Sequence, residues 1–438
     1  MEIGEYIEVL RKPSKTWLFS QDISEERIHV LSKIASEGSP NIIFRLIEFL
    51  KDKNGNVRLA ACTTIIHLFY KLDSKIGYYD TLKHCDISEA DIDFYRLSFP
   101  RKQYLELLAI GSLNGSGYVR EKAINKLQEM ADPRAIQFLI YRLADWVLPV
   151  RQAALQGIQH FKKEIFIDSL IDNLPIFEWL QKVERLDLGG VYQDVIVYIT
   201  WTNRAYVIAK FENYPDKSRL LIAKHISTSL ADHSNELKLF LDDRHFLIRL
   251  IAVVHFDKLD QTEITQLLND KSSKVRLQTL YCLKDKKEFK NVMKNYVADN
   301  SSTIRQYARF VMKQDGVNFA EVYNQNLLKG NMIVGSLFGL AEIGAKQYSE
   351  TVTKYLNNHN IKVKKAAFVS LSRLDEESAY TFVFANLDSP YVGLRNVIIN
   401  YLCVNIKTEG LFKARDIFKT GDYELKRSML KLLNAFGG

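Results

Sequence analysis

The stretch Asp132-Pro-Arg-Ala-Ile-Gln-Phe-Leu-Ile-Tyr-Arg-Leu-Ala-Asp145, followed shortly by Val150-Arg-Gln-Ala-Ala-Leu155, decides the fold. Asp132 has the side chain of a helix cap, and Pro133 suits the first helical position, where no backbone N–H is needed. A first helix runs from there towards Leu143, and a second is expected from Leu148 to Phe161. The same plan is legible upstream. Ser39 and Pro40 open a segment whose apolar residues at 42, 43, 46, 47, 49 and 50 form one helical stripe. A short turn through Asn54-Gly55 leads to a second striped helix from Val57 to about Tyr70.

The turn between the two helices recurs. It consists of Asp or Asn, four residues, an aliphatic residue and then Arg or Lys, often with Ala three residues later. Copies are Asp52…Val57-Arg58…Ala61, Asn114…Val119-Arg120…Ala123 and Asp145…Val150-Arg151…Ala154. Further copies are Asp243…Ile248-Arg249…Ala252, Asp270…Val275-Arg276, Asp299…Ile304-Arg305…Ala308 and Asn358…Val363-Lys364…Ala367. Asp388…Leu394-Arg395 is a looser copy with one extra residue. The spacing keeps phase: Val119 to Val150 is 31 residues, Ile248 to Val275 is 27, Val275 to Ile304 is 29 and Val363 to Leu394 is 31. Ile304 to Val363 is 59, two periods, with a degenerate copy at Ile333-Val334 between them. A fixed period of this length is the mark of stacked supersecondary units.

A lone helix pair cannot bury its apolar stripe, and stacking on neighbours does so. The small Ala permits close helix approach. Turn carboxylates and arginines then fall at equivalent places in successive units, where they can build a ladder of charge-assisted hydrogen bonds. The expected ladder residues are Asp52, Arg58, Asp145, Arg151, Asp243, Arg249, Asp270 and Asp299.

These residues resemble the HEAT-like repeat of the phycobilisome-lyase type, whose pattern is D-x-R-A-x-x-x-L-x-x-x-L-x-D-x-x-x-x-V-R-x-x-A. The match is close over 132–154 and partial in the other copies. The resemblance implies an all-α chain, an α-α superhelix with the second helices lining a concave face. It implies no particular activity, because a fold does not carry a function with it.

Composition agrees with a folded helical chain. Of 438 residues, 47% are hydrophobic and 26% charged, with 20 Gly and 8 Pro. The longest apolar runs, Leu250–Val254 and Val195–Ile199, are far short of a membrane span, and no signal-peptide pattern opens the chain. Cys62, Cys85, Cys282 and Cys403 form no C-x-x-C pair, which suits idle thiols in a reducing compartment. A cytoplasmic protein with no membrane contact is expected.

The whole chain reads as a single solenoid over 1–438, with a capping unit at 1–38 that carries Ile28, Leu31 and Ile34 on one stripe. The period breaks at 72–100, an insertion rich in acid and aromatics, and at 176–215, an irregular stretch holding Trp179, Gly189-Gly190 and Trp201. The two tryptophans read first as core residues. Basic C-terminal repeats follow over 216–438. Residues 1–200 hold 25 Lys+Arg against 27 Asp+Glu, and residues 201–438 hold 35 against 25.

No H-E-x-x-H, phosphate-binding glycine loop or nucleophile elbow is present, so no catalytic, metal or cofactor residue is assigned. Gly335, Gly339 and Gly344 lie in a helical pattern and suit close packing or a kink. The expected function is a non-catalytic scaffold that binds a protein partner on its concave face. The alternative is a nucleic-acid-binding solenoid, with phosphates held by Lys274, Arg276, Arg305, Arg309, Lys364, Lys365 and Arg395. DNA-alkylation-repair glycosylases are also HEAT-like, and this sequence is similar to them in ingredients: a basic half, Trp179, Trp201, Asp187 and Asp194. A relative of chromophore lyases is a third reading, resting on the repeat resemblance alone.

Overall fold

The computed structural model describes residues 3–12, 15–16, 19–20, 22–72, 78–230, 235–405 and 408–436. The fold is all-α, of the α-α superhelix class, apart from a two-residue antiparallel pairing of Lys15–Thr16 with Phe19–Ser20. The backbone divides into two compact units, Met1–Ile248 and Arg249–Gly438. The irregular stretch 176–215 lies inside the first unit.

In the first unit the deciding stretch folds as read. Asp132 accepts a hydrogen bond from the Arg134 N–H at 3.0 Å, and Pro133 opens a single 3-10 turn that runs into the helix Ile136–Leu143. The partner helix is Leu148–Phe161. Leu139, Ile140 and Leu143 from one helix and Val150, Ala154, Ile158 and Phe161 from the other are buried. Each of these side chains larger than alanine contributes about 2 kcal/mol by leaving water. The motif alanines Ala61, Ala123 and Ala154 are fully buried, as are Ala252, Ala308 and Ala367 of the repeats that follow.

The upstream pair departs in detail. Ser39 makes no capping hydrogen bond, and its first helix is broken into a 3-10 turn Pro40–Ile42, a helix Ile43–Leu46 and a 3-10 turn Ile47–Lys51. Its second helix, Gly55–Phe69, is capped by Asn54, which accepts from the Asn56 N–H at 2.8 Å. At the N-terminal end, helix Ser24–Glu37 buries Val30, Leu31 and Ile34, while Ile28 is half-buried.

The segment 72–100 contains helices Tyr78–Leu82 and Glu89–Ser98, the latter started by a reciprocal cap between Ser88 and Asp91; its residues 73–77 lie outside the described set. The irregular stretch 176–215 holds helix Gly189–Val197, a π-turn Tyr198–Thr202 and helix Arg204–Ala209. Thr200 donates to the Ile196 carbonyl at 2.7 Å within this widened turn.

The second unit repeats the pair plan through helices Ser273–Cys282, Ser302–Met312, Ile333–Glu342, Ile361–Leu374 and Val392–Leu402. Gly335 is required by packing: a Cβ there would lie 1.9 Å from the Ala298 carbonyl oxygen. Among the described residues no helix is long and apolar enough to cross a membrane.

Candidate binding surface

The turn residues organise the surface. In the seven regular copies the turn Asp or Asn accepts from the backbone N–H two residues on, as Asp145 does from Val147 at 2.9 Å and Asp270 from Ser272 at 2.6 Å; in the looser copy the Ser389 hydroxyl accepts from the Tyr391 N–H instead. The arginine that follows reaches back with Nη1 to the carbonyl at the head of its own turn. Arg58 reaches Asp52 at 2.7 Å, Arg151 reaches Asp145 at 2.9 Å and Arg276 reaches Asp270 at 2.6 Å.

The other edge of the guanidinium, Nε and Nη2, reaches forward to the next turn carboxylate. Arg120 grips Asp145, Arg219 grips Asp243, Arg249 grips Asp270 and Arg276 grips Asp299, each through two hydrogen bonds of 2.5–3.1 Å. Arg27 holds Asp52 at 2.7 Å through Nη1. Burial alone would raise the Asp145 carboxyl. The bonds from Arg120 and the Val147 N–H, with the charges of Arg142 and Arg120, outweigh it and hold that carboxyl below the usual carboxylate range.

This places the residues offered above as phosphate contacts. Arg276 is committed to Asp299. Arg305 donates to both carboxylate oxygens of Glu342, and Arg309 binds Glu342 at 2.8 Å and the Tyr323 hydroxyl at 2.8 Å. Arg395 is buried and donates to the Ser389 carbonyl. Four of the seven therefore face inward. Lys274 is exposed, and Lys364 and Lys365 are half-buried.

The ingredients named for a glycosylase do not converge. Asp194 holds Lys162 at 2.7 Å and Gln159 at 2.8 Å. These two donors overcome burial and keep its carboxyl below the usual range. Asp187 caps the Gly189 N–H at 3.2 Å. Trp201 carries Arg204 over its ring at 5.8 Å. Trp179 and Trp201 are not core residues: they are 40% and 52% exposed.

A different cluster emerges at the turn Asp145-Trp146-Val147. Trp146 is 75% exposed, and the Arg185 guanidinium sits 4.0 Å from its ring centroid while donating to the Ala144 carbonyl. Trp179 stands edge-on to Tyr141 at 5.9 Å. These side chains, with Arg120, Arg142, Ala144 and Asp145, line a cavity of about 200 Å³. Trp146 was not singled out by the sequence reading. A signal existed: the slot after the turn residue holds Lys53, Gly115, Arg244, Lys271, Asn300 and His359 in other copies, and a tryptophan only here.

Among the described residues, no three His, Cys, Asp or Glu side chains come together as metal ligands would. Burial pushes the Cys62 and Cys85 thiols up to about 12, away from the reactive thiolate.

No protein-family model matches this chain, and no curated protein is similar to it in sequence. Solved structures similar over 99% of the chain include importin beta crystallised in an ammonium sulfate condition, at 11% identity and a TM-score of 0.27. A Kap121p mutant is similar at 12% identity with a TM-score of 0.26. The chain spans 62% and 66% of those two proteins, less than two thirds of each.

Proposed function

We propose that this chain is a non-catalytic scaffold that binds a protein partner, with Trp146, Trp179 and Arg185 as its anchors. The observation that carries the reading is the exposed Trp146–Arg185 stack on a turn held from both sides. Arg151 Nη1 donates to the Trp146 carbonyl at 3.3 Å, and the neighbouring Asp145 carboxylate is locked by Arg120 and Arg142. Trp and Arg are the residue types that most often dominate protein interfaces. A pre-positioned anchor also loses little conformational freedom on binding. The inward commitment of four of the seven proposed phosphate contacts supports a protein partner over nucleic acid.

The test is affinity capture with the wild-type chain and with the double variant Trp146→Ala/Arg185→Ala, both checked for unchanged thermal unfolding. A stoichiometric protein retained by the wild type and weakened at least about tenfold by the double variant supports the reading. Equal retention by both chains contradicts it.

A further inference from the structure

Arg395 has every feature of a ladder arginine except the acid. It is 3% exposed, and Nη1 donates to the Ser389 carbonyl at 2.7 Å, as Arg276 does to Asp270 and Arg305 to Asp299. Its Nε and Nη2 are buried and find no acceptor among the described residues. In Arg120, Arg219, Arg249, Arg276 and Arg305 those same two nitrogens grip one carboxylate. A guanidinium cannot shed its proton to escape burial, so an unpaired one calls for an anion.

The following helix pair, Thr408–Thr420 and Tyr423–Asn434, carries an acid at its turn, Asp422. That carboxylate is exposed and caps its own helix, accepting from the Leu425 N–H at 2.8 Å. It does not close the rung.

We infer that Arg395 is a carboxylate-binding site, filled from outside the chain. The fork of Nε and Nη2 fits a carboxylate with two parallel hydrogen bonds. Leu394, Ile398, Ile399 and Leu402 of the same helix are fully buried, so this helix lies in the core. One negative charge matches the one charge of the Arg395 guanidinium, as Asp145, Asp243, Asp270, Asp299 and Glu342 each do for their arginines. The carboxylate is either a free small acid or the Asp or Glu side chain of a bound polypeptide, and the site chemistry is the same for both.

Thermal unfolding of the full chain in sodium acetate and in sodium chloride, matched for ionic strength and pH, tests the site. The isosteric uncharged variant Arg395→Met and the variant Asp422→Asn are run beside the wild type. Acetate raises the Tm of the wild type and of Asp422→Asn progressively with concentration, as linkage requires, and leaves Arg395→Met unmoved. A labelled glutamate-rich peptide, followed by fluorescence anisotropy, identifies the source. Binding that weakens at least about tenfold in Arg395→Met assigns a polypeptide acid. An acetate response without peptide binding assigns a free one. Equal acetate shifts in wild type and Arg395→Met overturn the site. So does an acetate response that appears in Asp422→Asn but not in the wild type, which would mean the chain closes the rung itself, and so does a wild type that responds to neither probe.

Discussion

Arg120 and Asp145 meet across two successive units with Nε and Nη2 at 2.8 and 2.7 Å from the two carboxylate oxygens, both side chains almost wholly buried. Removing one partner of a buried pair leaves an uncompensated charge. Arg120→Met is expected to lower stability by about 3 kcal/mol, measured by denaturant unfolding.

Arg151 occupies the same motif position, but among the described residues it donates to the Asp145 and Trp146 carbonyls rather than to a carboxylate. Arg151→Ala should therefore cost less, about 1 kcal/mol. Equal losses for Arg120→Met and Arg151→Ala, or an unchanged melting temperature for Arg151→Ala, would contradict the ladder.

Gly335→Ala places a methyl 1.9 Å from the Ala298 carbonyl oxygen and 2.8 Å from that of Asp299, so backbone must move. A loss of about 3 kcal/mol is expected. Gly190 is also helical, in Gly189–Val197, with nothing within 4 Å of its would-be Cβ. Gly190→Ala should leave stability unchanged or raise it by about 0.5–1 kcal/mol. Urea titration of the two variants side by side separates steric demand from helix propensity.

His225 ties the π-turn to the next helix. The Thr200 hydroxyl is already donating to Ile196, so it accepts from His225 Nδ1–H at 2.7 Å; Nε2 then accepts from Gln193 at 3.2 Å. The ring is thus held neutral, and burial lowers its pKa from the ordinary 6.5. The unfolded chain takes up the proton first as pH falls. Stability from this group is full above the unfolded value and declines as pH drops through the folded one. His255, lowered by burial and by Lys258, acts in the same direction. Melting temperatures from roughly pH 7.5 to pH 5 should fall for the wild type and fall less for His225→Gln.

The helix pairs were legible because burial imposes a strict period: the aliphatic residue of each motif copy, and the Ala where one is present, are buried. The rungs were less legible. Arg27 and Arg219 carry rungs from turns with irregular sequence, where Ile23 and Ser24 follow Asp22 and Pro215 follows Tyr214. Glu342 serves Arg305 from a helix end rather than a turn, a relation fixed by packing and not by spacing. Trp146 and Arg185 lie 39 positions apart in sequence, and only the fold makes them a stack.

The most direct test of a protein-binding rather than a nucleic-acid-binding role is fluorescence anisotropy. Labelled single- and double-stranded DNA and RNA would be titrated with the wild-type chain over a salt series. The account expects no saturable binding near physiological salt. Micromolar binding that weakens by roughly one log-log slope unit per phosphate neutralised, and that Lys364→Glu with Lys365→Glu abolishes without loss of folding, would contradict it.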